Sequence, residues 1–169
     1  MSDTTYAGAR VIHDADSHVM ELGDWLTAYA DPDMRDRIRP LYLGGAGALA
    51  DEAVRQAEAR RADGTEVGEG ELLTRKGWHA LGAFDPAERS RALDLLGFDS
   101  QLVFSTFAAT QFAGDDPEVL AAGTRALNRA MADFCADDPR LLAVGQVPWM
   151  GPEATEAAVV EAIDLGCSA

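Results

Sequence analysis

Residues 85–107, DPAERSRALDLLGFDSQLVFSTF, decide the fold class. Asp85 can cap a helix, Pro86 suits its first position and Glu88 falls at the third, so a helix is predicted to start here. It runs to about Leu96 and stops at Gly97, a residue that closes helices in the left-handed conformation. Gln101 through Phe107 is a β-branched and aromatic run, which predicts a strand. The same order recurs downstream. Asp116-Pro117-Glu118 opens a second helix, and Leu120, Thr124, Leu127, Met131 and Phe134 form its apolar stripe at spacings of three or four. Asp137-Asp138-Pro139 closes it. Leu141 through Pro148 predicts another strand, and Gly151-Pro152-Glu153 opens a third helix that ends at Leu165-Gly166. Upstream, Val11-Ile12 runs into polar residues as far as His18, which predicts a buried strand opening into a site. Strands that alternate with helices predict an α/β fold with a parallel sheet of three strands.

The middle of the chain is less regular. Asp24 to Ala30 suggests a helical turn. Ala48 to Arg61 is rich in good helix formers without a breaker, so it predicts a helix. Asp63 to Gly70 holds glycines among charges and reads as a loop. Residues 30–84 therefore look like a loop and helical elaboration on the scaffold.

Bulk properties narrow the function. The chain has 169 residues, of which 47% are hydrophobic and 25% charged, as in ordinary globular domains. That length predicts one domain and falls short of the ~250 residues of a (β/α)8 barrel. Twenty-nine acids against 14 bases give a formal charge of −15, which argues against nucleic acid and anionic membrane surfaces as partners. Two cysteines, Cys135 and Cys167, form no disulfide framework, so a reducing cytoplasm is the expected location. Residues 1–6 lack the basic and apolar regions of a signal peptide. No apolar run approaches the ~18 residues of a membrane span.

Asp16-Ser17-His18 is the leading chemical candidate. Residues two apart on a strand share a face, so Asp16 and His18 can grip one ion from one direction. Carboxylate plus imidazole suits Zn2+, and also Mn2+ or Fe2+. The plainer alternative is that Asp16 or Ser17 caps a turn and His18 is surface. His13, three residues before Asp16, is expected to point away from it. His79, beside Trp78, could line a pocket or pack on the surface. Trp25 and Phe107 could border the site but read better as core, as does Cys135. Gly45-Ala46-Gly47-Ala48-Leu49-Ala50 matches the dinucleotide fingerprint, but only three residues, Leu41-Tyr42-Leu43, could form the required strand. An insertion loop explains it better than a dinucleotide-binding oxidoreductase does.

Three stretches, in order, resemble the amidohydrolase-related family of metal-dependent hydrolases and nonoxidative decarboxylases, of the aminocarboxymuconate-semialdehyde decarboxylase type. Val11 to Glu21 is similar to its first-strand metal motif. Arg91 to Phe104 resembles its helix leading into strand two, and Asn128 to Pro148 the helix and strand that follow. The resemblance covers about residues 10–22 and 75–169. It implies an incomplete (β/α)8 (TIM-type) barrel of about the first three βα units across residues 1–169. It also implies that Asp16 and His18 are metal ligands, that the cofactor is a divalent metal, and that the substrate is a small carboxylic or amide molecule. The family's later ligands, a mid-barrel histidine and a late aspartate, have no counterpart here, and the catalytic residues are not assigned. The chain alone is therefore expected to be inactive. The alternative is a noncatalytic half-barrel that self-associates as a homo-oligomer or pairs with a complementary C-terminal half.

Overall fold

The computed structural model describes residues 5–65, 67–112, 114 and 116–169. The reading of residues 1–4 thus lies outside the described residues, as does residue 66 of the loop expected at 63–70. Three strands, β1 (His13–His18), β2 (Ser100–Phe104) and β3 (Leu141–Ala143), form one parallel sheet in the order β1-β2-β3. The α-helices are α1 (Trp25–Tyr29), α2 (Gly47–Asp63), α3 (Glu69–Leu72), α4 (Pro86–Leu96), α5 (Ala108–Gln111), α6 (Pro117–Cys135) and α7 (Pro152–Asp164). Two single 3-10 turns lie at Gly44–Ala46 and Gly77–His79.

Local chemistry accounts for the best-defined elements. The Asp85 carboxylate accepts the Glu88 amide at 2.9 Å and caps α4, which ends at Gly97 with φ +72°. A side chain at Gly97 would also collide with Thr5. The Asp116 carboxylate accepts the Glu118 and Val119 amides and starts α6. Each such cap satisfies helix donors that otherwise lack a partner and adds about 1 kcal/mol.

One face of the sheet holds the core. Val103, Leu141 and Ala143 point into a cluster with Leu93 of α4 and Ala126, Leu127, Met131 and Phe134 of α6. Helix α1 docks on α6 through Trp25 against Phe134, the short Tyr29–Asp133 hydrogen bond, and Asp31 paired with Arg125 and Arg129. On the other face, Leu102, Phe104 and Leu142 are only half-buried. A smaller cluster around Ala50, Ala53 and Trp78 ties α2 to the turn at Gly77–His79.

The α/β expectation holds, but the barrel does not. The three strands make a small open sheet, not a fragment of a (β/α)8 barrel. The β1–β2 connection, residues 19–99, carries four α-helices with apolar clusters of their own, where a βα unit has one helix. The strands are also short. β1 begins at His13, leaving Val11 73% exposed instead of buried. β2 stops at Phe104, because the amides of Thr106, Phe107 and Ala108 turn to the Glu21 carboxylate. β3 stops at Ala143, and the Asn128 carboxamide of α6 takes both the N–H and the C=O of Gln146. Beyond β3, the Ser168 and Ala169 amides donate to the Ala143 carbonyl, so the chain's own last residues lie along that edge.

Candidate metal site at the carboxyl end of the sheet

Asp16 and His18 lie near the carboxyl end of β1, on the open face of the sheet. Asp16 Oδ1 and His18 Nε2 are 3.3 Å apart, with side chains 92% and 44% exposed. The His18 ring stacks on Phe104 of β2 at a centroid distance of 5.6 Å and an interplanar angle of 28°. Its other nitrogen, Nδ1, is 3.4 Å from Thr106 Oγ1.

These contacts hold the ring from both nitrogens. The Thr106 hydroxyl has one proton and donates it to the Val19 carbonyl at 2.6 Å. Toward His18 it can therefore only accept: a ring protonated at Nδ1 would donate to Thr106 and turn its Nε2 lone pair to Asp16, and a ring protonated at Nε2 would donate to Asp16 itself. Either way, Nε2 and the carboxylate oxygen face each other at 3.3 Å on one exposed surface.

The donor set meets part of what a divalent ion requires. Two bonds of about 2.0–2.1 Å at a tetrahedral angle span roughly 3.3 Å, the separation found here. Donor type and spacing fit Zn2+. The number of donors falls short, since a catalytic zinc usually has three protein ligands. Among the described residues no group of three or more His, Cys, Asp or Glu side chains could hold a metal.

Glu21 anchors the floor of this region. It is fully buried, and its carboxylate accepts Ser105 Oγ at 2.5 Å and the amides of Thr106, Phe107 and Ala108. This ties the segment after β2 to the segment after β1 and brings Thr106 to His18. Beneath β1, on the helix-covered face, Arg89 of α4 is buried and donates to Ser17, Gln101 and the His18 carbonyl. Burial pushes its guanidinium down to about 10.

His13 and Asp16 turn out to share the open face. His13 Nδ1 bonds Ser100 Oγ at 2.8 Å, and Ser100 lies four residues from Phe104 on the same strand face. An extra residue in β1 between Asp14 and Ser17 shifts the alternation that the sequence predicts. His79 lies in the Gly77–His79 turn, next to Trp78, which stacks on Phe107 at 5.3 Å. Phe107 and Trp25 are packing residues, as expected. Gly45 and Gly47 sit at a 3-10 turn entering α2, and Leu41-Tyr42-Leu43 before it is not a strand, so the dinucleotide fingerprint lacks its structural context.

Thr106, Phe104, Glu21 and Arg89 escaped the sequence reading. Arg89 carried a signal: with Ala92, Leu93 and Leu96 it occupies the apolar stripe of α4, where a charge must be buried. Thr106 followed an apolar strand by two residues. Nothing local marked Glu21.

No helix among the described residues is long and apolar enough to cross a membrane. No protein-family model matches the chain, and no curated protein matches it.

Proposed function

We propose that Asp16 and His18 hold a divalent metal ion, Zn2+ before Mn2+ or Fe2+. The chemistry served is that of the amidohydrolase-related enzymes: hydrolysis or nonoxidative decarboxylation of a small carboxylic or amide substrate. The observation that carries this reading is the 3.3 Å separation of Asp16 Oδ1 and His18 Nε2 on one exposed face, the span of two ligand bonds to a tetrahedral ion. A bound ion would lower the pKa of its water toward ~7 or polarise the substrate. The chain's own residues hold and orient. Phe104 supports the ring, Thr106 Oγ1 lies beside its Nδ1, and the exposure of Asp16 would leave an ion open to solvent and substrate. Two protein ligands bind less firmly than three, so this chain alone is expected to take up metal without turning over substrate.

Equilibrium dialysis against Zn2+ and Mn2+ tests the reading. The wild-type chain should bind one equivalent, and the Asp16→Ala/His18→Ala double variant none. Equal uptake by both refutes the assignment.

A second reading, a noncatalytic module that self-associates or pairs with a partner chain, draws on α7. Val159, Val160 and Ile163 are exposed there, and Trp149 is exposed just before it. Apolar surface of this kind favours association. Sedimentation velocity separates the two readings. A concentration-dependent dimer lost in Val160→Glu/Ile163→Glu supports the module, and a monomer at all concentrations removes self-association.

A further inference from the structure

Strand β1 contains one more residue than its partner. Asp14 pairs with Gln101 and Ser17 with Val103, so three steps along β1 match two along β2. The consequence for the site is large, because a one-residue slip sends every later side chain to the opposite face. Asp14 points to the helix-covered face, where Gln101 Nε2 donates to its Oδ2 at 3.1 Å. Under strict alternation Asp16 and His18 would follow Asp14 to that face, against α4. The extra residue sends them to the open face instead.

Four side chains hold the irregularity in place. The Asp14 carboxylate accepts the Asp16 amide on its other oxygen at 3.0 Å, closing a tight turn inside the strand. Gln101 Oε1 accepts Ser17 Oγ at 3.3 Å and Arg89 Nη1 at 3.4 Å. Arg89 Nη1 also donates to Ser17 Oγ, and Nη2 donates to the His18 carbonyl at 2.7 Å. Arg89 itself is fixed from behind. Its Nε donates to the Gly82 carbonyl at 2.7 Å, and its guanidinium carbon lies 5.6 Å from the Phe134 ring centre. At Gly82 (φ +71°) any side chain would strike the Arg89 backbone.

We infer that Gln101 and Arg89 are positioning residues for the Asp16–His18 pair: through Asp14, Ser17 and the His18 carbonyl they clamp the extra residue of β1 and so turn both donors to the open face. The functional consequence rests on the metal-site reading, but the geometric claim does not. Strand irregularities next to functional sites commonly re-aim side chains in this way. The clamp acts entirely from the covered side and touches neither donor side chain.

The discriminating variant is Gln101→Glu. The new carboxylate still accepts from Ser17 and Arg89, so the buried cation keeps its partners. It has no proton for Asp14, so that bond becomes a repulsion. The swap Asp14→Asn/Gln101→Glu restores it, since the carboxamide introduced at position 14 can donate to the carboxylate introduced at position 101 and still accept the Asp16 amide. Two readouts are taken at fixed pH: the His18 ring resonances and their nuclear Overhauser contacts to Asp16 in metal-free protein, and Zn2+ affinity. In Gln101→Glu the Asp16–His18 contacts should vanish and Zn2+ binding should weaken about 10–100-fold, the usual cost of losing a group that orients a ligand. The swap should bring both back toward wild type. If Gln101→Glu does not fold, the half-exposed Asp14→Ala carries the same expectation, because it releases the Asp16 amide without touching Arg89. Unchanged His18 contacts in a folded Gln101→Glu or Asp14→Ala variant overturn the inference, whatever zinc does. A wild-type chain that binds no Zn2+ overturns the metal reading alone, and the metal-free contacts then decide the clamp.

Discussion

The two faces of β1 carry similar side chains in opposite circumstances. On the covered face, Asp14 and Ser17 join Gln101 and Arg89 in a network closed by hydrogen bonds, packed under α4 beside the ring of Phe134. On the open face, the side chains of Asp16 and His18 meet each other, the Phe104 ring and the Thr106 hydroxyl. The difference teaches what polar residues do in each setting. Buried and fully bonded, they fix the path of the backbone, because any unpaired group there costs ~1–3 kcal/mol. Exposed and under-bonded, they contribute little to folding and are free to bind a ligand.

Four substitutions or conditions sharpen this contrast. The largest effect belongs to the core behind the covered face. Met131→Ala, at a fully buried position of α6, should cost about 2–5 kcal/mol in chemical denaturation. The same truncation at half-buried Leu102, on the open face of β2, should cost under about half of that. Equal losses would erase the distinction between the faces.

Acid comes next. Arg140 holds the Asp138 carboxyl down to about 2 from its ordinary 3.8, through bonds from its guanidinium and its own amide. The same arginine reaches Asp94 and the Ser90 carbonyl of α4, and its own carbonyl accepts the Gln101 amide at the start of β2. The folded carboxyl is the stronger acid. Its contribution, about 2 kcal/mol, is therefore present above pH 3.8 and lost as pH falls toward 2. Asp138→Asn should flatten the stability profile between about pH 4 and 2. An acid limb that persists in Asp138→Asn would contradict this.

A smaller effect is expected at the α4 cap. Asp85→Ala removes the acceptor of the Glu88 amide and the short ion pair to Arg61. The expected cost is ~1 kcal/mol, read as a shift of the urea midpoint at constant slope. The smallest effect is on the open face itself. Asp16→Ala should change stability by less than about 0.5 kcal/mol while removing Zn2+ uptake. A large destabilisation there would show that Asp16 is structural.

Legibility followed the range of the forces. Helix α4 was readable from Asp85, Pro86 and Gly97, and α6 from Asp116, Pro117 and its stripe, because caps and periodicity are local. The ends of β2 and β3 were not readable. Glu21 takes the amides that follow β2, and Asn128 takes the backbone groups of Gln146 beyond β3, each acting on groups distant in sequence. The barrel expectation failed for a related reason, since the long β1–β2 connection folds into clusters of its own instead of a single crossover helix. At the site, the shared face of Asp16 and His18 followed from their spacing. Which face that is depends on the extra residue of β1, and no turn residue marks it. The same irregularity brings His13 to the face from which simple alternation excludes it.

Whether Asp16 and His18 together hold a divalent metal is tested most directly with Co2+, a paramagnetic stand-in for Zn2+, titrated into the uniformly labelled chain and followed by NMR. The expected result is a saturable loss of signal centred on Asp16 and His18, spreading to Phe104 and Thr106 and absent from Asp16→Ala/His18→Ala. Signal loss centred on Glu153, Glu156 and Glu161 of α7, or unsaturable loss across the surface, would contradict the assignment.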